Sequence, residues 1–120
     1  MRKIISMRAA MALSGFAALT VQASAQAETC TPIWSTSTST NTTNLQKAIN
    51  QCAANANRST PGLVDLTTNN GVSTAVITSV NLASNIVLKL EKGFTLKGSP
   101  AQPSGSALLT GSHLSNVTIT

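Results

Sequence analysis

Hydrophobic and polar positions alternate most clearly between Ser84 and Ser99. The apolar positions of this alternation are Ile86, Leu88 and Leu90, followed by Phe94 and Leu96. A period of two places alternate side chains on one face, so the pattern predicts two short strands. The intervening Glu91-Lys92-Gly93 predicts a turn, because glycine adopts positive φ without a Cβ clash. Asn85 precedes the first strand, and asparagine tolerates a left-handed bend.

The beginning of this pattern occurs twice in the chain. Ser84-Asn85-Ile86-Val87-Leu88 reappears as Ser115-Asn116-Val117-Thr118-Ile119. A corner asparagine followed by an alternating strand, repeated along the chain, favours the coils of a solenoid. A run of hairpins would give the same pattern.

A different period predicts one helix. Apolar residues recur at helical spacing and form one stripe: Leu45, Ala48, Ile49, Cys52, Ala53 and Ala56. Thr43 and Gln46 form a capping-box pattern at its start, and Asn57 suits its end. We interpret the Ser- and Thr-rich stretch before Thr43 as an extended lead-in. A helix with one apolar face must cover another apolar surface, and docking of a partner is the alternative use.

Shorter alternating segments predict further strands. In the segment from Leu63 to Thr67, Val64 and Leu66 share one face and Leu63 and Asp65 the other. The remaining predicted strands are Thr74 to Val80, Ala107 to Thr110 and Asn116 to Thr120.

The first 27 residues have the pattern of a secretory signal peptide. A basic start is followed by an uncharged run from Ala9 to Val21 and by small-residue cleavage motifs. We expect cleavage between Ala27 and Glu28. The run is shorter than the ~20 apolar residues that a membrane span needs, so we expect no stable membrane association after cleavage. The predicted location is secreted or periplasmic.

Removal of the leader changes the charge balance. The whole chain has eight Lys and Arg against three Asp and Glu, and the leader holds three of the basic residues. The exported part therefore has a net charge of +2. Aromatic residues suited to base stacking are almost absent, since only Trp34 and Phe94 lie outside the leader. We expect no nucleic-acid partner.

Cys30 and Cys52 are the two cysteines, and both lie in the exported part. An even count in an oxidising compartment predicts one disulfide. The alternatives are a metal site, which needs more ligands than the distant His113 offers, and a reactive thiol.

The segment from Thr43 to Thr120 resembles the opening of a polygalacturonase of glycoside hydrolase family 28. The resemblance rests on Leu-Gln-Lys-Ala-Ile-Asn-Gln-Cys, from Leu45, and on Leu-Ala-Ser-Asn-Ile-Val-Leu-Lys-Leu-Glu-Lys-Gly-Phe-Thr-Leu-Lys-Gly-Ser, from Leu82. The chain departs from the family at Thr68 to Val72, where a Pro-Ala-Gly-like turn is usual.

The resemblance implies an all-β fold, a right-handed parallel β-helix (solenoid) of which the chain holds the first coils with an amino-terminal α-helical cap. The expected division is a signal peptide (1–27), a lead-in and capping helix (28–60), and the first coils (61–120). The chain stops directly after a predicted strand, so we expect a truncated sequence.

Catalytic residues are not expected in this chain. Glycoside hydrolysis needs a general acid and a second carboxylate, and the exported part holds only Glu28, Asp65 and Glu91. The catalytic motifs of the resembling family, Asn-x-Asp, Asp-Asp, Gly-His-Gly and Arg-x-Lys, do not occur. We expect no cofactor and no metal, and we interpret His113 as a solvated turn residue.

The sequence thus predicts the amino-terminal part of a secreted pectin-degrading hydrolase of α-1,4-galacturonosyl bonds, inactive alone. The partner of the full-length protein would be a pectic or other acidic polysaccharide. The alternatives are a non-catalytic carbohydrate-binding or surface protein, and the start of a calcium-dependent pectate lyase-like enzyme.

Overall fold

The computed structural model describes residues 28–102 and 106–120. The predicted signal peptide lies outside these ranges, and only Glu28 of the predicted cleavage pair lies inside them. In chain order, the elements of the described residues are β1 (Thr29–Cys30), α1 (Thr38–Ala54), β2 (Gly62–Leu66), β3 (Thr74–Ile77), β4 (Val80–Asn81), β5 (Ile86–Leu90), β6 (Thr95–Gly98), β7 (Leu109–Thr110) and β8 (Val117–Ile119).

The strands form three small sheets in which every strand pair is parallel. The largest sheet has the order β1-β2-β5-β8, and the other two are the pairs β3-β6 and β4-β7. Gly62 lies opposite Ile86, and Ile86 lies opposite Val117. The two copies of the Ser-Asn motif therefore begin neighbouring strands of one sheet.

The predicted fold class, an all-β right-handed parallel β-helix, is wrong. The fold is a small α/β-like arrangement, with one helix and short parallel strands in small sheets. Helix α1 is 17 residues long and packs against β1, β2, β3, β4 and β5, so it is a full layer of the structure. Two of the sheets have only two strands, whereas a solenoid needs at least about three stacked repeats.

Helix α1 begins earlier than predicted. Ser37, and not Thr43, is the N-cap: its hydroxyl accepts a hydrogen bond from the Thr40 backbone N–H at 3.3 Å. Thr38 to Thr43 are weak helix formers, but the side chain of Asn41 is buried and bonded, so tertiary contacts hold this first turn helical. The predicted extended lead-in is therefore wrong from Thr38 onward, and the helix ends at Ala54 with Asn55 as C-cap.

The core lies between α1 and the inner faces of the strands. Val64 and Leu66 of β2 are buried while Leu63 and Asp65 are partly exposed, as the alternation predicts. The other fully buried large side chains are Trp34, Leu45, Ile49, Ile77, Ile86, Leu88 and Val80. The segment predicted as one strand from Thr74 to Val80 is divided between β3 and β4, which pair with different partners.

Candidate functional site

The predicted disulfide is confirmed. Cys30 and Cys52 are bonded, with their Cα atoms 6.0 Å apart. Both residues are buried, and the bond joins β1 to the last turns of α1. Its role is structural, because it ties β1 to the helix.

The lead-in segment before α1 is anchored by a buried tryptophan, which sequence reasoning missed as a core residue. The Trp34 ring stacks on Phe94 with centroids 5.1 Å apart. Its indole N–H donates to the Thr67 carbonyl at 2.9 Å, and its backbone N–H donates to Asn69 Oδ1 at 3.0 Å. The signal available in the sequence was its isolation: a single large aromatic residue in a Ser- and Thr-rich stretch has to be buried somewhere.

Asn69 belongs to the turn at which the chain departs from the resembling family. Asn70 (φ 53°) and Gly71 (φ 75°) both adopt left-handed conformations, and Asn69 and Val72 bridge across them. The Asn70 amide donates to the Trp34 carbonyl at 3.0 Å. The unusual turn therefore holds the lead-in segment in place.

The Ser-Asn motifs form a hydrogen-bonded seam at the amino-terminal ends of β5 and β8 in the largest sheet. Asn85 (φ 62°) and Asn116 (φ 59°) both adopt the left-handed bend that the pattern predicts. The Asn116 amide donates to Asn85 Oδ1 at 3.2 Å, and the Ser115 backbone N–H donates to Ser84 Oγ at 3.1 Å. The residues that carry the family resemblance thus set the bends that align β5 with β8.

The structure brings two of the three carboxyl groups together. Asp65 of β2 lies opposite Lys89 of β5, and Glu91 follows β5 directly. Lys89 Nζ lies 3.4 Å from Glu91 Oε2, with both side chains partly exposed. Glu28 lies elsewhere, where one of its oxygens accepts from the Gln51 amide at 3.2 Å.

The environment of this carboxyl pair moves the two pKa values apart. A hydrogen bond with the Glu91 side chain, followed by burial, raises the pKa of Asp65 above its ordinary 3.8 against the opposing charge of Lys89. The same hydrogen bond, followed by the positive charge of Lys89, lowers the pKa of Glu91 from its ordinary 4.5. Two carboxyls in contact cannot both ionise freely, because their charges repel.

This pair does not have the geometry of a glycosidase centre. Such enzymes hold their two carboxyls about 5–9.5 Å apart, so that the sugar or a water molecule fits between them. The mutual pKa shifts of Asp65 and Glu91 require the two side chains to lie within hydrogen-bond reach of each other, which is closer than this separation. Across residues 28–102 and 106–120, no three His, Cys, Asp or Glu side chains are grouped so that they could hold a metal ion.

The predicted turn residue His113 is exposed and has a φ of 57°. Close to it in sequence is an open groove whose lining comprises Asn81, Leu82, Thr110, Gly111, Ser112 and Leu114. The Thr110 hydroxyl donates to Asn81 Oδ1 at 2.6 Å, so part of the polar lining is already bonded within the protein. The groove lining contains no titratable side chain.

No family model, curated protein or solved structure matches this chain. In the part of the chain that the structure describes, no helix has the length and apolar character needed to cross a membrane.

Proposed function

We propose that this chain is the amino-terminal, non-catalytic part of a secreted polygalacturonase-like hydrolase that acts on pectin or a related acidic polysaccharide. The observation that supports it is the Ser-Asn seam. In the resembling family's motif, Leu-x-Ser-Asn-Val-x-Leu, serine and asparagine precede an alternating strand. Asn85 and Asn116 are the bends from which β5 and β8 start here.

The same contacts explain why these residues recur as a set. The Asn85 backbone N–H donates to the Ser115 carbonyl at 3.1 Å, and the Asn85 carbonyl accepts from the Gly62 N–H at 2.9 Å. A left-handed residue at this point turns the chain so that the next strand starts in register with the strand beside it. Asparagine adopts that conformation more readily than most residues with a side chain.

The arrangement of carboxyl groups supports a non-catalytic role for this part. Hydrolysis of a galacturonosyl bond needs a proton donor at the leaving oxygen and a second carboxylate separated from it. Asp65 and Glu91 are in contact, and Glu28 is bonded to a glutamine of α1. In the proposed enzyme, this part provides a disulfide-tied scaffold, and other residues perform the chemistry.

The test uses the protein as its host secretes it. An antibody raised against the α1 peptide, Thr38–Ala54, should deplete polygalacturonate-degrading activity from the culture medium, measured as the release of reducing ends. Antibody preabsorbed with the same peptide is the control and should leave the activity in place. If the antibody removes its antigen completely and all activity on pectic polymers remains, the proposal is wrong.

The purified product of this chain alone should release no reducing ends from polygalacturonate. Turnover by that product would contradict the non-catalytic role. Retention on a pectin column without turnover, combined with failed depletion in the host medium, would favour the alternative of a carbohydrate-binding protein.

A further inference from the structure

Asp65 and Glu91 lie in one row on the solvent side of the largest sheet. Asp65 is opposite Lys89 in the β2–β5 ladder, and the Glu91 backbone N–H donates to the Leu66 carbonyl at 2.9 Å. The ladder thus continues one residue beyond β5. Glu91 is the next residue after Lys89 on the same face, and it is a diagonal neighbour of Asp65. Long side chains reach one another across such a diagonal.

One oxygen of Asp65 has no hydrogen-bond donor. Asp65 Oδ1 is buried, and no described group donates to it. Lys89 is the nearest cation in the ladder, but its ammonium group pairs with Glu91 Oε2. A buried carboxylate oxygen without a donor is unfavourable. Two ionised carboxyls cannot bond to each other, since neither has a proton to donate.

We propose that Asp65 and Glu91 share one proton, which Asp65 donates to an ionised Glu91 that pairs with Lys89. We call this group of three side chains the latch, because it joins β2 to β5 with a strength that depends on pH. A proton between the two side chains satisfies the orphaned oxygen and removes the repulsion between the carboxyls. This inference does not depend on the proposed function.

The two strands that flank β2 and β5 place no charged side chain beside this pair. On one side of β2, β1 consists of Thr29–Cys30, and on the far side of β5, β8 consists of Val117–Ile119, all uncharged residues. The charged groups that act on Asp65 are Glu91 and Lys89. The titration of the latch therefore depends on these three residues.

The direction of the pH effect follows from the two shifts. The raised pKa of Asp65 contributes stability at low pH, and this contribution is lost as the pH rises through the raised value. The lowered pKa of Glu91 contributes stability at higher pH, and this contribution is lost as the pH falls through the lowered value. The stabilisation by the latch should therefore peak between the two values, where the pair holds one proton.

The test is the melting temperature as a function of pH, with the full chain exported and purified from its host. Asp65→Asn replaces the shared proton with a permanent amide donor. The variant should melt about 4 °C higher than the wild type at pH ~7, and the difference should shrink as the pH approaches the single-proton window. Glu28→Gln is the matched control and should show no such crossover. A difference between wild type and Asp65→Asn that is the same at every pH would overturn the latch.

Carbon-13 NMR of the side-chain carboxyls gives a second test that needs no variant. Asp65 should titrate above its ordinary 3.8 and Glu91 below its ordinary 4.5, and each resonance should report the titration of the other. If Asp65 titrates in one independent step at or below 3.8, the two groups do not share a proton.

Discussion

Loss of the disulfide between Cys30 and Cys52 should destabilise the protein strongly. The two residues are 22 positions apart in the chain. For a closed loop of that size, the chain-entropy relation gives about 11 cal/mol/K, or about 3 kcal/mol at 25 °C. A small domain is stable by only about 5–15 kcal/mol, so the loss is a large fraction of the total. For a chain of this size it corresponds to a fall in melting temperature of about 12–24 °C.

The assay compares thermal unfolding of the wild type and of the Cys30→Ala/Cys52→Ala variant by circular dichroism, with and without a thiol reductant. Reductant should lower the melting temperature of the wild type towards that of the variant and leave the variant unchanged. The variant has no disulfide to reduce, so it is the control for other effects of the reductant. Alanine adds a small packing loss, because both cysteines are buried. A melting temperature of the variant within about 3 °C of the wild type would refute the reasoning.

The other predictions concern packing and buried hydrogen bonds. Gly62→Ala should cost about 1–3 kcal/mol, because its Cβ would lie 2.8 Å from the Cys52 Cβ and collide with the Cys52 backbone carbonyl. Gly98→Ala, whose new Cβ would make only an ordinary contact at 3.5 Å, is the matched control and should change the free energy of unfolding by less than about 0.5 kcal/mol. Asn41→Ala should cost about 2–3 kcal/mol, since the buried amide bonds backbone groups on both sides of it.

Urea unfolding measures all three variants. Equal stabilities of Gly62→Ala and Gly98→Ala would contradict the close approach of β2 to α1. An unfolding free energy of Asn41→Ala within about 0.5 kcal/mol of the wild type would show that the backbone partners find water or other donors and acceptors.

The alternation of apolar residues was enough to predict several strands and the bends before them. In β2 and β5, burial follows a period of two from Val64 to Leu66 and from Ile86 to Leu88. The left-handed bend at Asn85 is a property of that residue and its immediate neighbours. Local patterns of this kind can be read without knowing which strands pair.

The start of α1 could not be predicted from local preference. Thr38 to Thr43 are weak helix formers, and Thr43 with Gln46 matches a capping box. The tertiary contact that decides the outcome is the Asn41 amide, which donates to the Val76 carbonyl of β3 at 3.2 Å. A partner 35 positions away in the chain gives no signal in a local window.

The fold class was mispredicted for a related reason. Two copies of a strand motif suggest a repeating array, but they do not determine how many levels each sheet has or how much of the core a helix supplies. Leu45, Ile49 and Cys52 of α1 are completely buried against the strands. The helix is therefore as much a part of the core as the sheets are.

The interaction between Asp65 and Glu91 could not be predicted for the same reason as the helix start. Asp65 and Glu91 lie in separate segments, and only the register that sets Asp65 opposite Lys89 brings them together. In the sequence, Glu91 lies in a turn between Lys89 and Lys92, a pattern that is typical of a solvated residue. Register depends on the whole sheet, so no spacing rule identifies the pair.

The proposed function is tested most directly by the intact mass of the protein that the antibody against α1 captures from the culture medium of its native host. The proposal predicts a chain that begins at Glu28 and has a mass several times that of residues 28–120, with polygalacturonate-degrading activity in the captured material. A mass equal to that of residues 28–120, without activity, would contradict it.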